Sequence, residues 1–117
     1  GRAARFGPRR HPITNAIDFH NGMDISVDSG TPVISTADGK VVATRYDPNL
    51  GLYVKIDHGN GYETLYGHLR RISIEQGQVV KRGDVVGLSG NTGRSTAPHL
   101  HYEVRHYRQP QNPVNFF

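Results

Sequence analysis

The chain is 117 residues long, carries a formal net charge of +4 and contains no cysteine. A chain of this length buries one modest core, so we expect a single domain spanning residues 1–117. Without cysteine, neither a disulfide framework nor a thiolate zinc site can form, and any bound metal must use His, Asp or Glu. No apolar run approaches the roughly 20 residues that span a bilayer, so we expect no membrane span within this chain.

The amino end of the chain is strongly basic. Residues 1–12 contain four arginines and form a basic, partly irregular segment: Arg2, Arg5, Arg9 and Arg10. A basic surface favours polyanions such as nucleic acid, anionic lipid or an acidic cell wall. Because the sequence has no recognisable nucleic-acid motif and no basic amphipathic helix, we interpret this segment as solvated and expect no nucleic-acid partner. The segment also lacks a signal-peptide pattern, so for an exported protein the targeting segment would lie outside this chain.

Short runs rich in Val, Ile, Tyr and Thr, separated by Gly and Pro, predict an all-β structure with very little helix. Strands are predicted near residues 22–27, 32–35, 39–46, 52–57, 62–68, 85–89 and 100–105. Residues 57–61 carry the turn residues of a hairpin and place His58 in a loop. Two glycine-bounded stretches, 30–39 and 77–87, resemble each other, which favours two related β units packed together.

The last predicted strand carries two imidazoles. Side chains alternate across a strand, so His99 and His101 share one face, about 6.5 Å apart at roughly 3.3 Å per residue. The opposite face is apolar, as expected of a face packed on a core: Leu100, Tyr102 and Val104. Two histidines at this distance can serve one metal ion, or act as one ligand and one neighbour. Glu103 falls on the histidine face, where it either orients a histidine or forms a surface ion pair.

Other segments supply the groups that a metal site still needs. His20 and Asp24 lie four residues apart near the start, and His68 follows Tyr-Gly in mid-chain. A hydrolytic zinc centre uses three protein ligands and an open position for water, together with groups that move protons. Each side chain alone also has a structural interpretation, as a surface pair or a core histidine. Spacing alone does not sort ligands from proton carriers among these residues.

Taken together, the motifs resemble the lysostaphin/LytM family of zinc endopeptidases, which cut peptides of bacterial peptidoglycan. The matching segments run in order over nearly the whole chain: Arg5-Phe6-Gly7, His11-Pro12-Ile13-Thr14, His20-x-x-x-Asp24, Tyr66-Gly67-His68-Leu69, Gly90-Asn91-Thr92-Gly93, Pro98-His99-Leu100-His101 and Asn112-Pro113. The resemblance implies a compact antiparallel two-sheet sandwich or barrel, built on a duplicated hybrid motif, with a cleft over the zinc. It also implies that His20, Asp24 and His101 bind one Zn²⁺ while His68 and His99 are catalytic.

The resemblance further predicts a substrate and a compartment. The substrate would be the stem and cross-bridge peptides of peptidoglycan, with D-alanyl-diaminopimelate bonds favoured over glycyl-glycine bonds. An enzyme of this kind acts after export, in the periplasm or cell envelope, and inhibitory or regulatory domains can lie outside the chain. The alternative is a catalytically silent relative that regulates another wall hydrolase. That alternative is weakened because His20, Asp24, His68, His99 and His101 are all retained.

Overall fold

The computed structural model describes residues 17–18, 22–107 and 109–111. The predicted basic segment 1–12 and the predicted ligand His20 lie outside these residues. Ten strands occur in the described part: β1 (Ile17–Asp18), β2 (Gly22–Ser26), β3 (Pro32–Ile34), β4 (Gly39–Asp47), β5 (Gly51–Gly59), β6 (Tyr62–Ile72), β7 (Val79–Val80), β8 (Val85–Ser89), β9 (His99–His106) and β10 (Gln109–Gln111). In the same residues no helix is long and apolar enough to cross a membrane.

All strand pairs are antiparallel, and the main path of the sheet runs β1-β2-β9-β6-β5-β4-β7. A branch leaves this path at β6, whose final residues pair with β8, which in turn pairs with β3. The β3–β8 branch packs on the main sheet, since Val33 and Val86 belong to the same buried cluster as Val54, Leu69 and Leu100. The all-β prediction is therefore confirmed, with the two packed layers formed by one continuous, branched sheet.

Local chemistry fixes the two long hairpins. In the β4–β5 turn, the carboxylate of Asp47 accepts hydrogen bonds from the backbone N–H of Asn49 and Leu50 at 2.7 and 3.0 Å. In the β5–β6 turn, Asp57 accepts from the N–H of Gly59 at 2.8 Å. Such side-chain bonds stabilise tight turns and set the register of the strands that they join. The β5–β6 hairpin places β6 beside β9, where the predicted metal motif lies.

The seven predicted strands are all present, and the placement of His58 is wrong. His58 lies inside β5 rather than in the turn. Its ring nitrogens contact the Asp38 carbonyl oxygen at 2.7 Å and the Thr64 hydroxyl at 2.6 Å. The strand runs to Gly59, two residues beyond the predicted end at residue 57. The two contacts give His58 a structural role.

Candidate functional site

Strand pairing brings the separate sequence motifs into one row. Asp24 on β2 is the register partner of His101 on β9, and Gly67 on β6 is the partner of His101 on its other side. Directly paired residues of neighbouring antiparallel strands point to the same face of the sheet. Asp24 and His101 therefore share a face because of the register, although 77 positions separate them in the chain.

The acidic and imidazole groups converge at the floor of a cleft of about 570 Å³. Nδ1 of His101 lies 2.7 Å from Oδ1 of Asp24, and Nε2 of His99 lies 3.5 Å from the same oxygen. The ring of His68 completes the group, with its centroid 4.5 Å from that of His99 and 6.0 Å from that of His101. The structure thus brings together four of the five residues predicted for the site, and confirms that His99 and His101 share one face.

Two successive charge contacts, from His101 to Glu103 and from Glu103 to Arg105, fix the orientation of His101. Nε2 of His101 contacts Oε2 of Glu103 at 2.8 Å, and Oε1 of Glu103 accepts from Nε and Nη2 of Arg105 at 2.8 and 2.7 Å. Burial raises the pKa of Glu103, but the hydrogen bond and charge of His101, helped by Arg105, outweigh it and hold that pKa below its ordinary value. The sequence left Glu103 open between orienting a histidine and forming a surface ion pair. In the structure Glu103 contacts His101 and also pairs with Arg105, but its carboxylate is buried.

His101 lies between two carboxylates, and this location governs its protonation. Burial alone lowers the pKa of an imidazole, but the hydrogen bonds and charges of Asp24 and Glu103 overcome it and raise the pKa of His101 to about 9. The same contact lowers the pKa of Asp24, although partial burial acts in the opposite direction. In the metal-free domain, Nδ1 of His101 therefore donates a hydrogen bond to Oδ1 of Asp24.

The backbone and ring of His68 are held by two loops. His68 has a φ of +60°, a left-handed conformation that is rare for residues other than glycine. Its N–H donates to the Leu50 carbonyl at 2.6 Å, and Nδ1 contacts the Thr92 carbonyl oxygen at 2.6 Å. A carbonyl oxygen only accepts, so Nδ1 carries the hydrogen and neutral His68 offers the lone pair of Nε2. Burial, with the nearby charges of His99 and His101, lowers the pKa of His68 despite the Thr92 contact.

His99 is oriented in a similar way by the loop that precedes it. Its Nδ1 lies 2.8 Å from the carbonyl oxygen of Ala97 and 3.1 Å from the hydroxyl of Ser95. The Ser95 hydroxyl itself donates to the Ala97 carbonyl at 2.9 Å. Because the carbonyl accepts from Nδ1, Nε2 is again the nitrogen that faces the acidic group. Both rings flanking Asp24 thus present Nε2 as a proton acceptor when neutral.

Thr92 links the cleft wall to the sheet, and the sequence analysis did not single it out as a site residue. Its hydroxyl donates to the Leu69 carbonyl at 2.6 Å and accepts from the Leu52 N–H at 3.1 Å, while its carbonyl holds His68. The adjacent loop is packed so closely that a Cβ at Gly51 would lie 2.3 Å from the Thr92 hydroxyl. Residues 90–93 belong to a segment that carries the family resemblance, but the contact of Thr92 with His68 depends on tertiary packing.

The described donors fit part of a zinc site. Within residues 22–107, no three His, Cys, Asp or Glu side chains form a metal-binding group. Two of the three predicted ligands, Asp24 and His101, lie in this range, and their oxygen and nitrogen face each other at 2.7 Å. A carboxylate oxygen and an imidazole nitrogen are ligands that zinc takes, and the second nitrogen of His101 is anchored by a carboxylate, as is common for metal-bound histidine.

Comparison with known proteins shows the family. The chain matches Peptidase family M23 over residues 18–113. It belongs to that family. Peptidoglycan DD-endopeptidase ShyA of Vibrio cholerae is 51% identical over 113 residues, which cover 96% of this chain and 26% of ShyA. The M23 domain described here therefore spans about a quarter of that relative.

Solved structures of the M23 family share the fold. A zinc containing peptidase from Vibrio cholerae is 47% identical and superposes with a TM-score of 0.77, covering 88% of this chain and 32% of that chain. Lysostaphin from Staphylococcus simulans is 33% identical with a TM-score of 0.78, covering 83% of this chain and 43% of that chain. These comparisons confirm the resemblance and the fold class predicted from the sequence.

Proposed function

We propose that this M23 domain is a zinc-dependent endopeptidase that hydrolyses peptide cross-links of bacterial peptidoglycan. The observation that carries the proposal is the convergence of Asp24, His68, His99 and His101 on one cleft floor. Family membership supports the peptidase activity. The name of ShyA supports a peptidoglycan substrate, and the zinc containing peptidase from Vibrio cholerae supports zinc as the metal. The domain comprises the single unit 1–117, which acts in the periplasm or cell envelope.

In this proposal His20, Asp24 and His101 hold the metal. Zinc, when bound, acts as a Lewis acid on the scissile carbonyl and makes a water molecule acidic near neutral pH. Glu103 keeps the hydrogen on Nε2 of His101, which leaves Nδ1 as the nitrogen facing Asp24. The single carboxylate ligand gives the loaded site a net positive charge, which favours an anionic reaction centre.

His68 and His99 move protons and stabilise charge around the scissile bond. His68 is the proton acceptor, because burial lowers its pKa and the Thr92 carbonyl leaves Nε2 with a free lone pair. The His99 ring lies 4.5 Å from the His68 ring and is more accessible, so we assign His99 as the group that donates a hydrogen bond to the developing oxyanion. The proton that His68 takes from the attacking water then passes to the leaving amine, which returns His68 to its neutral form.

The bond that we propose is the D-alanyl-diaminopimelate cross-link rather than a glycyl-glycine bridge. Support comes from ShyA, whose name describes a DD-endopeptidase and which is 51% identical to this chain. Lysostaphin shares the fold at lower identity, 33%. The segment His11-Pro12-Ile13-Thr14 resembles family members that act on D-alanyl-diaminopimelate cross-links, and it lies outside the described residues.

The test is mass spectrometry of products after incubating the zinc-loaded domain with purified cross-linked muropeptide dimers. Direct D-alanyl-diaminopimelate dimers and glycine-bridged dimers are compared, each with and without a zinc chelator. Conversion of the direct dimer to monomers, abolished by chelator and restored by zinc, is the expected result. If the zinc-loaded domain cleaved neither dimer, that result would contradict the proposed endopeptidase activity and favour the regulatory alternative.

A further inference from the structure

One wall of the cleft carries a cation that the proposed chemistry does not use. Arg94 is exposed and lines the cleft together with Asp24, His68 and His99. Among the described residues that line the cleft it is the one lysine or arginine. Within residues 22–107, no carboxylate lies within ion-pair distance of its guanidinium.

The loop geometry holds Arg94 close to the reacting groups. Two positions before it, the Thr92 carbonyl accepts from Nδ1 of His68, and one position after it, Ser95 contacts Nδ1 of His99. The N–H of Arg94 itself donates to the Asn49 carbonyl at 3.2 Å, which joins the two loops that form this wall. The backbone on either side of Arg94 is therefore fixed to His68 and His99, while its side chain lines the cleft.

The charges around Arg94 show what kind of ligand it can serve. Asp24 and Glu103 are already paired with His101 and Arg105, so Arg94 is the cation of the cleft wall that remains to face a negatively charged substrate group. A guanidinium is planar and offers paired N–H donors that match a carboxylate. An arginine without an ion-pair partner in a substrate cleft is thus suited to bind a substrate carboxylate.

The proposed substrate has a carboxylate at the required place. In a DD bond the D-alanyl carbonyl is joined to a nitrogen on a second carbon of D configuration. In a diaminopimelate cross-link, that same carbon also bears a free carboxylate. A glycine bridge has no charged group at the corresponding position.

We propose that Arg94 binds the free carboxylate beside the scissile nitrogen and so selects DD cross-links over neutral bridges. This inference rests on the proposed function, because it assigns a specificity residue to that same cleft. It requires only binding, with no change in the hydrolytic step. The carboxylate would be held on the leaving-group side, next to the loop that orients His68 and His99.

The experiment compares two substrates with two forms of the full chain, both loaded with zinc. The first substrate is the direct cross-linked dimer with its free carboxylate, and the second is the same dimer with that carboxylate converted to a carboxamide. Loss of a charged hydrogen-bond pair predicts that Arg94→Gln lowers kcat/KM for the carboxylate dimer by about 10- to 100-fold and leaves the carboxamide dimer nearly unchanged. For Arg94→Lys, kcat/KM for the carboxylate dimer should lie between those of the parent and Arg94→Gln, because an ammonium keeps the charge without the paired N–H donors.

The matched control is Arg45→Gln, which removes the same charge from an exposed position on β4, outside the cleft lining. We expect this variant to keep the carboxylate preference of the parent chain. An Arg94→Gln variant that retains the parent ratio of carboxylate to carboxamide turnover would overturn the inference while leaving the proposed function intact. Failure of the zinc-loaded parent chain to cleave either dimer would instead overturn the proposed function, and the inference with it.

Discussion

Replacing Glu103 by glutamine tests whether a side chain outside the predicted ligand set controls metal binding. Glu103 uses both carboxylate oxygens: Oε2 contacts Nε2 of His101, and Oε1 accepts two bonds from Arg105. A glutamine of the same shape has one oxygen and one NH₂ group, so it can accept on only one side. The substitution therefore keeps the volume and forces a choice between the two contacts.

Either choice weakens the metal site. If the glutamine oxygen faces Arg105, its NH₂ group faces Nε2 of His101, which must then accept and carries its hydrogen on Nδ1, the nitrogen that faces Asp24. If the oxygen faces His101 instead, the tautomer is kept, but the charged pair with Arg105, worth about 1.5–3 kcal/mol, is lost, and so is the negative charge that makes His101 a stronger metal ligand. We expect zinc affinity to fall by roughly 10- to 100-fold, as for other groups that orient a metal-bound histidine.

The assay is a competitive zinc titration against a chromogenic chelator at neutral pH, with far-UV circular dichroism to verify folding. Glu75→Gln is the matched control, since it makes the same chemical change on an exposed residue outside the cleft lining. The control should bind zinc as the parent domain does. A folded Glu103→Gln variant with the affinity of the parent would refute the argument that Glu103 sets the tautomer of His101.

Three further predictions concern the residues on the cleft floor. Because the contacts of His101 raise its pKa from the ordinary 6.5 to about 9, the charged form stabilises the zinc-free fold fully below pH 6.5 and loses this contribution as the pH rises through 9. Thermal melts of the zinc-free domain should show a decline over that window, of at most about 1.4 kcal/mol per pH unit, and His101→Gln should remove it. His68→Ala and His99→Ala should keep zinc, measured by elemental analysis, but lower turnover of the muropeptide dimer by about 10²- to 10⁴-fold each. Asp24→Asn should lose zinc on dialysis, and normal zinc content in that variant would argue against Asp24 as a ligand.

The sequence was most informative where a local rule decides the structure. Alternation along a strand placed His99 and His101 on one face and Leu100 on the other, and the structure agrees because β9 is a regular strand whose apolar face is buried. Turn chemistry likewise located the β5–β6 hairpin, which was predicted at residues 57–61. The two-residue strand β7 (Val79–Val80) escaped prediction, since so short a segment has no period of its own and becomes a strand only by pairing with β4.

The partners of the histidines could not be predicted, because they come from positions with no signal in the sequence. The carbonyl groups of Leu50 and Thr92 hold His68, and every residue has a carbonyl group. Which carbonyl reaches the ring depends on how the 47–51 and 91–98 loops pack on each other. The orienting role of Glu103 was accessible from sequence only as one of two alternatives, since its face was known but the position of Arg105 relative to it was not.

His68 departs from the alternation of side chains along strand β6. Tyr66 packs against Tyr102 on the core side of the sheet, and a Cβ at Gly67 would lie 3.5 Å from that of His101, on the cleft side. Strict alternation would therefore turn His68 back toward the core with Tyr66. The left-handed backbone at His68 breaks the alternation where β6 leaves β9 and begins to pair with β8, and the ring turns into the cleft beside His99 and His101. A non-glycine residue adopts such a conformation only when its surroundings compensate the strain, and here the Leu50 and Thr92 carbonyls do so. The branch point of the sheet is thus also the point that delivers the proposed proton acceptor to the site.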